Sequence, residues 1–243
     1  MNGGQLHTMN GQQAAFTTQP GMPAPPGLNQ IWMEKPAGNG DTPPGLEYLG
    51  LVDRVQIKQI KELAEIVLGW ETTNKYVVLN GVGQQMLYVF EESGCCTRQC
   101  CGNQRGFTLH VVDNYKNEIM KISREFSCFA GCCWCAVPGS CCSHEVIVEA
   151  PVGHVIGTIQ QRTACCSNSY VVNDRDGTRM FDLEGPCCCM MNFCQDKVYP
   201  VKTMAGVEVG EVRKSWAGIL QEAFTDADNF GDFMNFEQPN QNN

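Results

Sequence analysis

Two periodicities divide the chain. Val55, Ile57, Ile60, Leu63, Ala64, Val67 and Leu68 recur at three- and four-residue spacing, with Lys58, Lys61, Glu62 and Glu65 on other faces. That spacing predicts an amphipathic packing helix, stopped by Gly69. From Lys75 the pattern becomes short β-branched and aromatic runs joined by turn formers. Tyr76–Leu79 and Met86–Phe90 flank Asn80-Gly81-Val82-Gly83, and Phe107–Val112 and Glu118–Ile122 flank Asp113–Asn117. Val146–Glu149 and Val155–Ile159 flank Ala150-Pro151-Val152-Gly153. Tyr170–Val172 and Met180–Leu183 flank Asp174-Arg175-Asp176-Gly177, and Val198–Val201 and Val207–Val212 flank Thr203-Met204-Ala205-Gly206. These segments predict five hairpins. Their loose repeat, about 24 to 37 residues, is too irregular for a propeller and suits an antiparallel barrel. Trp216, Ile219, Leu220 and Phe224 share one side of a second predicted helix over Ser215–Thr225.

Residues 1–42 lack periodicity and are rich in Gln, Asn, Gly and Pro, so they read as a disordered arm. Met22-Pro23-Ala24-Pro25-Pro26 is short polyproline that would suit an SH3 or WW domain, or would serve as a flexible lead-in. Order is expected over 43–231, followed by an acidic and polar tail over 232–243.

All sixteen cysteines fall between Cys95 and Cys194, in bursts that lie between the predicted hairpins. Tips and connections alternate ends in an up-and-down meander. The thiols should therefore gather at one end, with none at a hairpin tip or within a strand.

Composition narrows the class. A hydrophobic fraction of 43% suits a globular domain, and a formal charge of -9 argues against a general nucleic-acid binder. The first thirty residues carry no secretory signal and Asn2 excludes N-myristoylation, so a reducing compartment is expected and a disulfide framework is not. The charge-free run Phe126–Ser143 is broken by Gly131, Pro138 and Gly139, and it reads as an interfacial loop rather than a span.

The thiols admit three chemistries. Charge-poor loops with Phe126, Phe129, Trp134 and Val137 nearby suit palmitoylation at a membrane surface, and the Cys132–Cys142 cluster offers five thiols. Cys132-x-x-Cys135 has zinc-knuckle spacing, although adjacent doublets chelate one ion poorly. The third reading is that some doublets are inert, buried small residues. Near the C-terminus, Asp226, Asp228, Asp232 and Glu237 occupy positions one, three, seven and twelve of a calcium-loop pattern. Gly231 stands at six, Phe230 at five and Met234 at nine; without a following helix the segment is equally an acidic, solvated tail. No nucleophile elbow, P-loop or dinucleotide fingerprint is present, and His7, His110, His144 and His154 form no recognisable catalytic set.

Several segments resemble the phospholipid scramblase family. They are Pro43-Pro44-Gly45-Leu46-Glu47-Tyr48-Leu49, Glu71-Thr72-Thr73-Asn74-Lys75-Tyr76, Cys95-Cys96-Thr97-Arg98-Gln99-Cys100-Cys101-Gly102, Phe107-Thr108-Leu109, and the stretch from Trp216 to Gly231. The resemblance implies an all-β, tubby-like fold over 43–231, a closed antiparallel barrel of about a dozen strands around a central C-terminal helix, to which the spacing adds the N-terminal amphipathic helix and the short C-terminal helix predicted above. It implies calcium-stimulated, ATP-independent movement of membrane phospholipids between leaflets, without bond chemistry. It implies palmitate on Cys132, Cys133, Cys135, Cys141 and Cys142, and calcium at Asp226, Asp228, Phe230, Asp232, Met234 and Glu237. The place implied is the cytoplasmic face of the plasma membrane, held by acylation. The family's basic import and DNA-binding segment fits poorly, because Glu211 interrupts Gly210–Ile219. The family also continues into an apolar helix where this sequence reads Gln238–Asn243, leaving two other expectations open: a palmitoylated adaptor without transport, and a cysteine-metal domain.

Overall fold

The computed structural model describes residues 31–36, 42–60, 73–94, 98, 100–101, 104–127, 135–138, 140, 142–187, 196–214 and 229–230. Its strands are β1 (Val55–Ile60), β2 (Lys75–Asn80), β3 (Gln85–Glu92), β4 (Phe107–Val112), β5 (Glu118–Arg124) and β6 (Glu145–Glu149). They continue as β7 (Val155–Arg162), β8 (Ser167–Asp174), β9 (Arg179–Cys187), β10 (Lys197–Thr203), β11 (Glu208–Lys214) and the two-residue β12 (Asn229–Phe230). Strands β1 to β11 form one antiparallel meander in chain order, and β12 adds at the β1 edge. All five predicted hairpins are present: β2–β3, β4–β5, β6–β7, β8–β9 and β10–β11.

The sequence misleads at β1. Residues Val55–Ile60, expected to open the amphipathic helix, are a strand paired with β2 along its full length, from Val55↔Asn80 to Ile60↔Lys75. Val55, Ile57 and Gln59 also alternate with Gln56, Lys58 and Ile60, so the first turn and a half of the stripe fits period two as well as 3.6. Ladder pairing with an apolar neighbour overrode the helical spacing. Residues 61–68, the rest of that stretch, and the second expected helix over 215–225 lie outside the described residues. Helical structure is almost absent among the described residues, Leu49–Leu51 being a short 3-10 turn.

The expected closed barrel is not formed either. Strand β12 is hydrogen-bonded to β1 and comes alongside β11, yet among the described residues no ladder joins β11 to β12. Two residues are too few to zip both edges.

Cross-strand register sorts the side chains. Ile57, Val78 and Leu87 face one another in successive strands, as do Val89, Val111 and Met120. Further along, Ile122 pairs with Val148, and Ile159, Val172 and Phe181 form another row. This apolar face holds the core, in which Val78, Leu87, Val89 and Val111 are buried. The opposite face carries Lys58, Glu92, His110, Lys121 and Glu149.

The hairpin-tip pole is sealed by chain from the N-terminal side. Trp32 bridges Gln85, while Leu46 and the fully buried Tyr48 join Met86, Ile119 and Ala150 in the core. Gly45 (φ 94°) lets that cap lie on Ile119, since a Cβ there would fall 2.2 Å from Ile119 Cγ2. Burial, helped by the neighbouring Asp113, pushes the Tyr48 phenol up to about 12. The tips repeat one device. The side-chain oxygen of Asn80, Asp113 or Asp174 accepts backbone N–H groups two and four residues on, which fixes the turn.

Candidate functional site: the thiol-bearing pole

Because the meander is strictly consecutive, the connections β3–β4, β5–β6, β7–β8 and β9–β10 all lie at the end opposite the tips. Every described cysteine is there. Cys100, Cys135 and Cys165 are exposed, and Cys101, Cys142, Cys166 and Cys187 are half-buried. One expectation needs correcting: Cys187 is the last residue of β9 rather than a connection residue, because pairing with Ser167 extends that strand past Pro186.

A polar network fastens this pole. Glu91 ends the inward row Leu87, Val89, Glu91, where an apolar residue would be expected. Arg105 grips it with two parallel bonds, Nε–Oε1 and Nη2–Oε2, each 3.0 Å. The Ser93 hydroxyl donates to Oε1 at 2.7 Å, and Asn74 Nδ2 donates to Oε2. Gln59 Nε2 donates to Asn74 Oδ1 at 2.7 Å, which ties in β1. Burial alone would raise the Glu91 carboxyl, but the hydrogen bonds from Arg105 and Ser93 outweigh it and hold the group below the usual carboxylate range. Arg98 Nη1 donates to the Ser93 carbonyl and hydroxyl, so the segment carrying Cys100 and Cys101 is pinned to the end of β3.

The same chain of contacts runs on into β5 and beyond. Arg124 Nη2 donates to the Arg105 carbonyl at 2.8 Å, and its guanidinium lies 4.5 Å over the Phe107 ring. Burial, then the charge of Arg105, lowers the Arg124 pKa. Burial, then the charge of Arg124, also lowers that of His144, whose Nδ1 is buried without a hydrogen-bond partner. His144 is therefore a neutral imidazole at neutral pH. The connection bearing Cys135 and Cys142 is held by three bonds: Thr163 Oγ1 to the Ala136 carbonyl (3.0 Å), Ser143 Oγ to the Gln161 carbonyl (2.8 Å), and Gln161 N to the His144 carbonyl (2.8 Å). Phe126 and Val137, before and after Cys135 in this connection, are 52% and 55% exposed.

Two clefts open at this pole. The larger, about 760 Å³, is lined by Phe107, Arg124, Phe126 and Ser143, with Glu92 and Glu145 at its edge. The smaller, about 390 Å³, is lined by Arg162, Cys165, Cys166, Arg179, Asp182 and Glu184. Among the described residues no group of three or more His, Cys, Asp or Glu is arranged to hold a metal ion. No described helix is long and apolar enough to cross a membrane.

The sequence-based sites meet the structure unevenly. Cys135 and Cys142 lie together in the β5–β6 connection, while Cys132, Cys133 and Cys141 lie outside the described residues. Of the calcium pattern, only the Phe230 backbone is described, extended in β12 opposite Ile57. Asp226, Asp228, Asp232, Met234 and Glu237 lie outside, as does Met22–Pro26. Sequence reading missed the Glu91–Arg105–Arg124 network. Its signal was present: Glu91 follows Leu87 and Val89, and Arg124 follows Met120 and Ile122, each a charge at the next inward step of a period-two row.

The Scramblase family profile matches residues 33–239, spanning every strand above. The chain belongs to the scramblase family. Its relatives include phospholipid scramblase 1 of Homo sapiens, 38% identical over 201 residues, covering 82% of this chain and 61% of that protein. Phospholipid scramblase 2 of Bos taurus is 35% identical over 222 residues, covering 90% of this chain and 72% of the relative. Phospholipid scramblase family member 5 of Homo sapiens is 34% identical over 190 residues, covering 78% and 68%. Against the phospholipid scramblase 1 proteins the chain spans 58% to 61% of their length. No solved structure matches it significantly.

Proposed function

We propose that this scramblase-family chain promotes ATP-independent movement of phospholipids between membrane leaflets, stimulated by calcium, from a position at the cytoplasmic face of the plasma membrane. The observation that carries the reading is the family match over residues 33–239. The gathering of thiol-bearing connections at one pole supports the mode of attachment. Palmitate on Cys132, Cys133, Cys135, Cys141 and Cys142 would hold that pole to the bilayer, with Phe126 and Val137 entering the headgroup region beside it. Each buried CH₂ of an acyl chain contributes about 0.8 kcal/mol, and two chains suffice for durable anchoring.

Calcium would be taken by hard oxygen donors. The carboxylates of Asp226, Asp228, Asp232 and Glu237 and the Phe230 carbonyl form such a set, and Met234 can add only its carbonyl or a bound water. The ion would supply charge neutralisation next to anionic headgroups. Lipid movement changes no covalent bond, so the chain would act as a translocator rather than an enzyme. The polyproline stretch Met22–Pro26 would serve as a docking segment for SH3 or WW partners.

The test uses the acylated full chain in liposomes carrying a fluorescent phospholipid in both leaflets, with a membrane-impermeant quencher outside. Calcium should accelerate loss of the protected inner-leaflet signal above that of protein-free vesicles. Equal rates with and without protein would remove the transport reading and leave a lipid-tethered adaptor.

A further inference from the structure

At the second cleft, one lining thiol closely approaches another at the end of β9, a pair that the lipid-transport reading does not use. Cys166 lies in the short β7–β8 connection, and Cys187 ends β9 opposite Ser167. Their Sγ atoms are 2.8 Å apart. That separation is within about 0.8 Å of the roughly 2.05 Å disulfide bond length. It is also too short for two thiolates sharing one tetrahedral zinc, which sit roughly 2.3 Å from the metal and diverge around it.

Local sequence creates the approach. The β8–β9 ladder pairs Ser169 with Glu184 but Ser167 with Cys187, so β9 gains one residue across Gly185-Pro186. A bulge of this kind bends its strand and re-aims the side chain that follows. Gly185 lets the Tyr199 ring lie against the bulged segment, since a Cβ there would fall 2.3 Å from Tyr199 Cε1. Cys166 lines the cleft with Cys165 and Arg162, giving a small polar oxidant a way in, whereas Cys187, the last residue of β9, is not part of that lining.

We propose that Cys166 and Cys187 are a reversible modification site, forming an intramolecular disulfide on exposure to a peroxide. Cys166 Sγ attacks one peroxide oxygen, the O–O bond breaks, and water leaves with the thiol proton. Cys187 Sγ then attacks the resulting sulfenic sulfur, an S–S bond forms, and the sulfenic oxygen leaves as a second water. Two thiols and one hydrogen peroxide thus give one disulfide and two waters. The linked form clasps the open end of the β8–β9 hairpin and withdraws both sulfurs from acylation, while Cys165 beside them stays exposed.

The full chain, purified under reductant and then treated with hydrogen peroxide, tests this by alkylation and tandem mass spectrometry. The expected product links Cys166 to Cys187, loses the mass of two hydrogens, loses alkylation at both positions, and regains it with dithiothreitol. Cys187→Ser should leave Cys166 as a sulfenic acid captured by dimedone, and Cys166→Ala should leave Cys187 alkylatable after peroxide. Cys165→Ser should retain the link. The proposal is overturned if both sulfurs are still alkylated after peroxide, if Cys166 links instead to Cys165 or to Cys188, Cys189 or Cys194, or if Cys165→Ser abolishes the product. The readout is covalent, so it stands or falls independently of lipid movement.

Discussion

The two poles of the sheet solve burial in opposite ways. At the tip pole, apolar side chains from distant sequence, Leu46 and Tyr48, close over Met86, Ile119 and Ala150. The buried polar Asp113 there is satisfied mainly by the turn it makes, through N–H groups two and four residues on. At the thiol pole, Glu91 is buried and is satisfied mainly by partners 14 and 17 residues away, Arg105 and Asn74, with Ser93 adding one local bond. One pole is held by packing, the other by a polar mesh that ties down the β3–β4, β5–β6 and β7–β8 connections. Such a mesh leaves Cys100, Cys135 and Cys165 exposed, where apolar packing would bury them.

The comparison breaks most severely if the attachment is wrong. Replacing Cys132, Cys133, Cys135, Cys141 and Cys142 by Ser should move the protein from the membrane fraction to the supernatant, since each lost chain forfeits about 0.8 kcal/mol per CH₂. Unchanged flotation with liposomes would shift attachment elsewhere. Tyr48→Ala should cost about 3–5 kcal/mol in denaturant unfolding, as expected for truncating a fully buried aromatic residue. A loss under about 1 kcal/mol would mean the tip cap is dispensable.

Glu91→Leu alone should cost about 3 kcal/mol, because it removes the two-bond carboxylate partner of Arg105, a guanidinium only 14% exposed, and adding Arg105→Met should recover most of the loss. The pH dependence has a definite sign. Glu91 is held below its usual range when folded, so its contribution is present above the unfolded carboxylate pKa and fades as pH falls through the lower, folded value. A flat acid limb of the stability curve in wild type relative to Glu91→Leu would contradict this.

A smaller effect is expected on the outer face, where His110 bonds Glu118 at 2.7 Å and Glu92 at 3.0 Å. Burial would lower its pKa, but the two carboxylates overcome that and raise it, with Lys121 opposite on β5 engaged by Glu149. The stabilisation is therefore full below the unfolded histidine pKa and is lost as pH rises through the folded one. Solvent screening at Glu92 keeps it to about 0.5 kcal/mol, readable as a difference between wild type and His110→Gln across neutral pH. Least of all should change with Val82→Asp and Met204→Asp. These tip residues are 81% and 55% exposed, and liposome binding should be unaltered if the thiol pole is the membrane side. Weakened binding would turn the molecule end for end.

Much of this was legible in the chain. Alternation and turn residues located all five hairpins within a few residues, and the meander they imply placed the thiols. Two things were hidden. The Val55–Ile60 stretch satisfies helical and strand periods alike, and only its partner β2 decides between them. The Glu91 network depends on which charges fall inward in register, a tertiary fact that spacing hints at and pairing settles.

The consecutive order of the strands has a practical consequence for orientation. The Asp174–Gly177 turn and exposed Cys165 lie at opposite ends of the eight-residue β8. At roughly 3.3 Å per residue, that strand is a rod about 26 Å long, comparable with the hydrocarbon thickness of a bilayer. A fluorophore at Arg175 and another on Cys165 would thus form a built-in depth gauge, whose unequal quenching by lipid spin labels would report which way up the molecule sits.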